Sequence, residues 1–187
     1  MSLEPKAISP ADTIDIENID GLYGYALVLT RNRSDAEDLV QETYVRAIGA
    51  MGRLRPESNV KGWLFTILRN IWLNHLRKRR GGPGIVDMNV EDSSGLNVAS
   101  SEDPHAHFVS KMEHRQVCEA IRQLPADSRE VIVLREYEEM SYRDIAAILN
   151  CPVGTVMSRL ARARSRLRTL LSAAFQTSIH SGKEVTE

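Results

Sequence analysis

Polar and apolar positions alternate with helical spacing over most of this chain. Near its C-terminal end Val156, Leu160, Ala163 and Leu167 recur at steps of four and three, the spacing of one buried helical face. A second stripe at the same steps, Thr155, Ser158, Arg159, Arg162 and Arg166, is polar and basic. Just upstream, Ile145, Ala146, Ile148 and Leu149 supply a shorter apolar face, and Ser141 followed by Asp144 has the spelling of a capping box, so a helix is predicted to start at Ser141. Asn150, Pro152 and Gly154 interrupt it. Met140 to Leu171 therefore reads as two helices with a tight turn between them, the second starting near Val153.

The same periodicity predicts the elements before it. Ile19 to Thr30 is a short apolar helix, and Asn32 to Ser34 turn the chain, with Ser34 as N-cap and Glu37 three residues on. A helix from Asp35 to about Met51 turns Ala36, Leu39, Val40, Thr43, Tyr44 and Ala47 inward. Gly52 to Asn59 is a loop by its Gly, Pro, Ser and Asn content. Val60 to Arg80 is a long helix with Trp63, Ile67, Leu68, Ile71 and Leu76 at helical spacing. The pattern then stops: 81–107 holds GGPG, scattered Ser and Asn, and five acids with no Lys or Arg, a composition that buries too little to order itself. Helices resume over 111–123 and 128–139, the latter directing Val131, Ile132, Leu134 and Tyr137 to a core. The expected architecture is all-α. A mobile leader (1–18) precedes two small helical domains (19–80 and 110–175), which are joined by a flexible acidic linker (81–109) and followed by a tail (176–187). The second domain contains a helix-turn-helix.

Composition agrees, since 42% hydrophobic residues in 187 suffice for a core while 5% aromatics favour small aliphatic bundles over a sheet. The net charge of −1 conceals blocks. No acid lies between Asp144 and Glu184, so the arginines of the last helix have no neutralising neighbour in sequence. Such a helix suits a DNA major groove, small polar residues approaching base edges and guanidinium groups binding phosphate or guanine; a solvated basic helix in a bundle is the plainer alternative. Lys61, Arg69 and Arg77 to Arg80 give six cations with no acid between Glu57 and Asp87, more than helix-dipole capping needs, which favours phosphate contact. Trp63, Phe65 and Trp72 on that helix serve either core packing or base stacking. Asp35, Glu37, Asp38 and Glu42 crowd the first two turns of their helix with no base. The dipole accounts for the first three, and a docking surface for a basic partner accounts for Glu42 as well.

Cys118 and Cys151 are expected to be reduced in a cytoplasmic chain with neither a signal peptide nor a membrane-inserting segment. His105, His107, His114 and Cys118 fix no metal geometry, and no metal or cofactor is expected. With no paired nucleophile and base and no phosphate-cradling glycine loop, an enzyme is the least favoured class.

Four segments carry a resemblance. AEDLVQETYVRA (Ala36 to Ala47), GWLFTILRNIWLNHLRKRR (Gly62 to Arg80), LPADSREVIVLREYEEMSYRDIAAIL (Leu124 to Leu149) and CPVGTVMSRLARARSRL (Cys151 to Leu167) resemble, in order and at about the same spacing, the conserved regions of bacterial RNA polymerase sigma factors of the extracytoplasmic-function group. The resemblance implies a promoter-recognition factor that binds core RNA polymerase, through its β′ clamp helices and β subunit, and promoter DNA, and that is controlled by an anti-sigma factor. It implies polymerase docking by Asp35, Asp38, Gln41 and Glu42. It implies minus-10 recognition and strand separation by Glu57, Ser58 and Asn59 of the loop and by Lys61, Trp63, Arg69, Asn70, Asn74, Arg77 and Lys78 of the following helix. Minus-35 recognition falls to Thr155, Ser158, Arg159, Arg162 and Arg166, beside Met157, where many members carry Lys or Arg. A DNA-binding regulator working without polymerase would need only the last helix, and a decoy for an anti-sigma protein would need neither basic surface.

Overall fold

The computed structural model describes residues 17–55, 57–79, 81 and 115–181, with the side chains of 17 and of 174–181 left aside. The leader before residue 17, the linker over 82–114 with His105, His107 and His114, and the end of the tail lie outside the described residues. Every regular element among those described is helical: α1 (Glu17–Thr30), α2 (Arg33–Ala50), α3 (Val60–Arg79), α4 (115–122), α5 (Ala126–Ile132), α6 (Tyr142–Leu149) and α7 (Val153–Ser181). A 3-10 turn, Met51–Arg53, follows α2, and a π-helical turn, Val133–Tyr137, follows α5.

Local chemistry sets the boundaries. Ser141 caps α6, its Oγ accepting from the Asp144 amide at 3.1 Å, while the acid answers through the hydroxyl, Ser141 Oγ donating to Asp144 Oδ2. Asn150 closes α6 in the left-handed region (φ 48°), where Asn is tolerated. At α2 the expected cap is corrected: Asn32, not Ser34, is the N-cap, its Oδ1 accepting from the Asp35 amide at 3.1 Å. Arg31 at φ 55° ends α1, so the two-residue turn is complete at Asn32 and Ser34 falls inside the first turn of α2.

In the first unit α1 packs on α2 and α3, burying Leu22, Tyr25, Leu39, Leu64, Phe65, Leu68 and Ile71. The Tyr25 and Phe65 rings lie 5.4 Å apart. Trp72 is buried with them, whereas Trp63 and Ile67 are only partly buried, because the α3 face in contact runs through Leu64 and Phe65. In the second unit α5 and α6 pack on α7 through Val131, Leu134, Ile145, Val156, Leu160 and Ala163. Tyr137 does not join this core and is 53% exposed. An α-helical step of three from Leu134 would bury it, but the wider π turn rotates less per residue and carries it off the face.

The two units are packed together, α3 against α6 and α1 against α5 and its π turn, and their buried residues form one continuous cluster. Arg129 is buried at this junction, with no carboxylate partner among the described residues. Its guanidinium donates to the carbonyls of Ile121, Arg122 and Leu124 near the end of α4 and to that of Val28 in α1, so carbonyl dipoles offset its charge. Burial, reinforced by Arg31 and Arg122, pulls its pKa down to about 10.

Candidate nucleic-acid interface

On α7 the apolar stripe turns inward and leaves Ser158, Arg162 and Arg166 exposed, with Thr155 half-buried beside them. Thr155 sits in the first turn, its amide bonded to the Pro152 carbonyl at 2.9 Å, so the tight turn fixes which residues lead the helix. Met157 is exposed on the same end. Arg159 is held differently, its Nη2 lying 2.6 Å from Asp127 Oδ2 of α5. Arg164, off the stripe, pairs with Glu136 at 2.7 Å. Acids from another helix thus neutralise two of the five arginines of α7, a contact that reading along the sequence missed because it considered near neighbours only. Arg162 and Arg166 have no carboxylate partner among the described residues.

The loop and α3 form the second basic surface. Glu57 is exposed and Ser58 half-buried. Asn59 caps α3, its Oδ1 accepting from the Gly62 amide at 2.9 Å, and its Nδ2 donates to Asp144 Oδ1 of α6 at 3.0 Å. Lys61 Nζ lies 2.9 Å from Glu138 Oε2 and donates to the Glu138 carbonyl at 3.0 Å. Arg69 Nε donates to Glu130 Oε2 at 3.1 Å in an ion pair whose side chains are 12% and 2% exposed. Burial raises the Glu130 carboxyl above its ordinary range although Arg69 pulls it down. Further along, Asn70, Asn74, Arg77 and Lys78 are exposed, Arg77 donating to Asn74 Oδ1 at 2.9 Å. Trp63 is half-buried against the core. The surface expected to meet DNA therefore divides into a solvent-facing end, Asn70 to Lys78, and a start at which Asn59, Lys61 and Arg69 are engaged by carboxyl groups of the second unit.

On α2, Asp38 and Gln41 are exposed, while Asp35 lies 3.3 Å from Arg79 Nη2 and Glu42 contacts both Arg46 and His75 Nε2, the latter at 3.0 Å. Val45 and Ile48, 71% and 65% exposed, extend the Asp38 and Gln41 stripe at steps of four and three. Sequence reasoning passed over these two apolar positions; their spacing from Gln41 was the available signal. Among the described residues no group of acids, histidines and cysteines could hold a metal ion, and no helix is long and apolar enough to cross a membrane.

A helical unit with separate acidic and basic faces is packed on a helix-turn-helix unit, the class of motif that binds DNA. A family model described as sigma-70 region 2 matches residues 17–81, and one described as sigma-70, region 4 matches 114–167. The ECF RNA polymerase sigma factor EcfG of Rhodopseudomonas palustris is 39% identical over 153 residues, 82% of this chain and 80% of that protein. The RNA polymerase sigma-H factor of Pseudomonas aeruginosa is 34% identical over 150 residues, 78% of each. The sigma factor RpoE of Bartonella quintana, solved in complex with the anti-sigma factor NepR, superposes with a TM-score of 0.67 at 34% identity, over 84% of this chain and 93% of that one. The chain belongs to the sigma-70 family of RNA polymerase sigma factors, in its extracytoplasmic-function group. It is accordingly a transcription initiation factor, acting with RNA polymerase at promoter DNA.

Proposed function

We propose that the first unit docks core polymerase and handles the minus-10 element while the second reads the minus-35 element. Docking uses the α2 stripe of Asp38 and Gln41 with Val45 and Ile48, flanked by Asp35 and Glu42, an acidic and apolar surface suited to the β′ clamp helices. Glu57, Ser58 and Asn59 receive an extruded base, whose unstacking costs a few kcal/mol. Lys61, Trp63, Arg69, Asn70, Asn74, Arg77 and Lys78 hold the separated strand and adjacent duplex. Thr155, Ser158, Arg159, Arg162 and Arg166 enter the minus-35 major groove. The protein catalyses no reaction itself and works in the cytoplasm, where polymerase is. By its likeness to a sigma factor solved with an anti-sigma factor, it is held in check by such a partner.

What supports this reading most is the presence on one chain of two exposed arginines on α7, Arg162 and Arg166, that have no carboxylate partner among the described residues, and an acid-apolar stripe on α2. A free-standing DNA-binding regulator has no use for the second. The test is run-off transcription from a promoter library with purified core polymerase. Promoter-dependent transcripts are expected with the wild type, and Asp38→Ala is expected to weaken association with core while leaving duplex binding by the isolated protein unchanged. Footprinting of duplex DNA without initiation at any promoter would instead identify a regulator independent of polymerase.

A further inference from the structure

The first turns of α7 carry an apolar patch that the groups assigned above leave unused. Val153 and Met157, four positions apart and so on one helical face, are 38% and 54% exposed, and Ala161 one turn further on is exposed as well. Gly154 lies between this strip and the stripe of Ser158 and Arg162. A Cβ at Gly154 would meet nothing within 4 Å, and its φ is not positive, so neither packing nor conformation within the chain calls for glycine there. The missing side chain leaves the backbone open to close approach from outside. Ser158 Oγ donates to the Thr155 carbonyl at 3.0 Å, which leaves its lone pairs facing outward as acceptors. A single exposed methionine is ordinary on a protein surface. Two apolar side chains and a glycine at the leading end of the helix proposed to enter a DNA groove are not explained by the interior of the protein.

We propose that Met157, with Val153 beside it, reads the 5-methyl group of a thymine in the minus-35 element, and so contributes a sequence preference that phosphate contacts cannot supply. The proposal rests on the minus-35 reading of α7. In the major groove the 5-methyl is the apolar group that a base edge presents, and it marks thymine apart from the other three bases. Methionine is unbranched, with three rotatable side-chain bonds and a polarisable thioether, so it settles on a methyl without a fixed geometry. An adenine·thymine pair also presents the adenine amino group, a donor that suits the outward lone pairs of Ser158.

The test lets the full chain select its site from a library of random-sequence duplexes. Each thymine of either strand of the selected duplex is then replaced in turn by uracil, which removes the methyl and keeps the base pair. Loss of one buried methyl corresponds to about a fourfold change, so the wild type is expected to bind one of the uracil duplexes about fourfold less tightly than its parent. Met157→Ala should bind the parent duplex less tightly by about fourfold or more and lose nothing further with that uracil, the coupling expected of two groups in contact. Met157→Leu keeps an apolar side chain and should keep the uracil effect, while Val153→Ala should reduce it without abolishing it. Met157 is exposed and alanine is a strong helix former, so thermal unfolding of Met157→Ala should match the wild type. A uracil effect of the same size in the wild type and Met157→Ala, no uracil effect at any thymine, or a selected site without thymine would overturn the proposal. Arg162→Ala judges the underlying reading separately. If Arg162→Ala weakens binding to the selected duplex while uracil changes nothing, the methyl contact falls and minus-35 recognition by α7 stands; if the chain selects no sequence and Arg162→Ala has no effect, both fall.

Discussion

On α3 the cations Lys61 and Arg69 face carboxylates of the other unit, whereas on α7 Arg162 and Arg166 face none among the described residues. Both helices are basic and both are proposed to meet DNA. They differ in burial as well, since the Arg69 and Glu130 side chains are nearly closed off from solvent while Arg162 is open to it. A buried cation that has given up its hydration needs a partner at all times; an exposed one keeps water until phosphate arrives. The α7 surface is therefore ready to bind as the molecule stands, and the start of the α3 surface depends on how the two units are arranged.

The largest effect expected from breaking this comparison is at the buried pair. Arg69→Ala or Glu130→Ala leaves an uncompensated buried charge and should cost about 3–5 kcal/mol in urea unfolding. Replacing both, as Arg69→Met with Glu130→Leu, should recover most of that loss. Single losses below about 1 kcal/mol would place the pair in solvent, like an ordinary surface bridge, and remove the distinction between the two helices. The pair also carries a pH signature. Burial, partly opposed by Arg69, raises the Glu130 carboxyl, with Asp127 adding to the rise and Arg159 subtracting. Folding thus favours its protonated form, so the stability it contributes is fully present below the unfolded carboxyl pKa and lost as pH rises through the higher folded value. The stability of the wild type relative to Glu130→Gln should fall over that window. No change, or a rise, would mean that Arg69 rather than burial dominates the site.

The helices themselves were legible because their signals are local. The steps of three and four in Val156, Leu160 and Ala163, the Ser141 cap and the Asn150 stop all act within one or two turns, and the structure has them where the sequence reading put them. The Asn32 cap was missed because Asn32, Arg33 and Ser34 offer two capping side chains two residues apart, and backbone geometry at Arg31 decides between them. Tyr137 was misjudged because a π turn changes the period without a marker in sequence. The acids that meet Asn59, Lys61 and Arg69 were illegible for a different reason. They lie on the far side of a segment without periodicity, and nothing in the spacing of residues 61 or more apart says that α3 and α6 will touch. For the same reason α3 and α7 read alike until the fold set acids against one of them.

A smaller effect tests the open half of the comparison. Arg162→Ala should weaken binding of minus-35 duplex by about 1–3 kcal/mol and lower the salt dependence of binding. Because the side chain is exposed and bonds only to the Ser158 carbonyl among the described residues, folding stability should change by less than about 0.5 kcal/mol. A loss of stability as large as the loss of affinity would assign Arg162 to the structure of α7 rather than to DNA.

The smallest effect separates a cap that belongs to the junction from one that does not. Asn32→Ala removes the hydrogen bond to the Asp35 amide within the first unit and should cost about 1 kcal/mol, the usual worth of a polar N-cap. Ser141→Ala removes an equivalent bond to the Asp144 amide, and it also frees the Asp144 carboxylate from the hydroxyl that orients it. That carboxylate accepts from Asn59, so the second substitution should both destabilise α6 and loosen the start of α3. The expected outcome is a loss somewhat larger than at Asn32, with faster amide exchange at Gly62, whose hydrogen bond depends on the position of the Asn59 side chain. Equal losses, with exchange at Gly62 unchanged, would mean that Asn59 is held by its own cap and that Asp144 adds nothing to the grip of the second unit on the first.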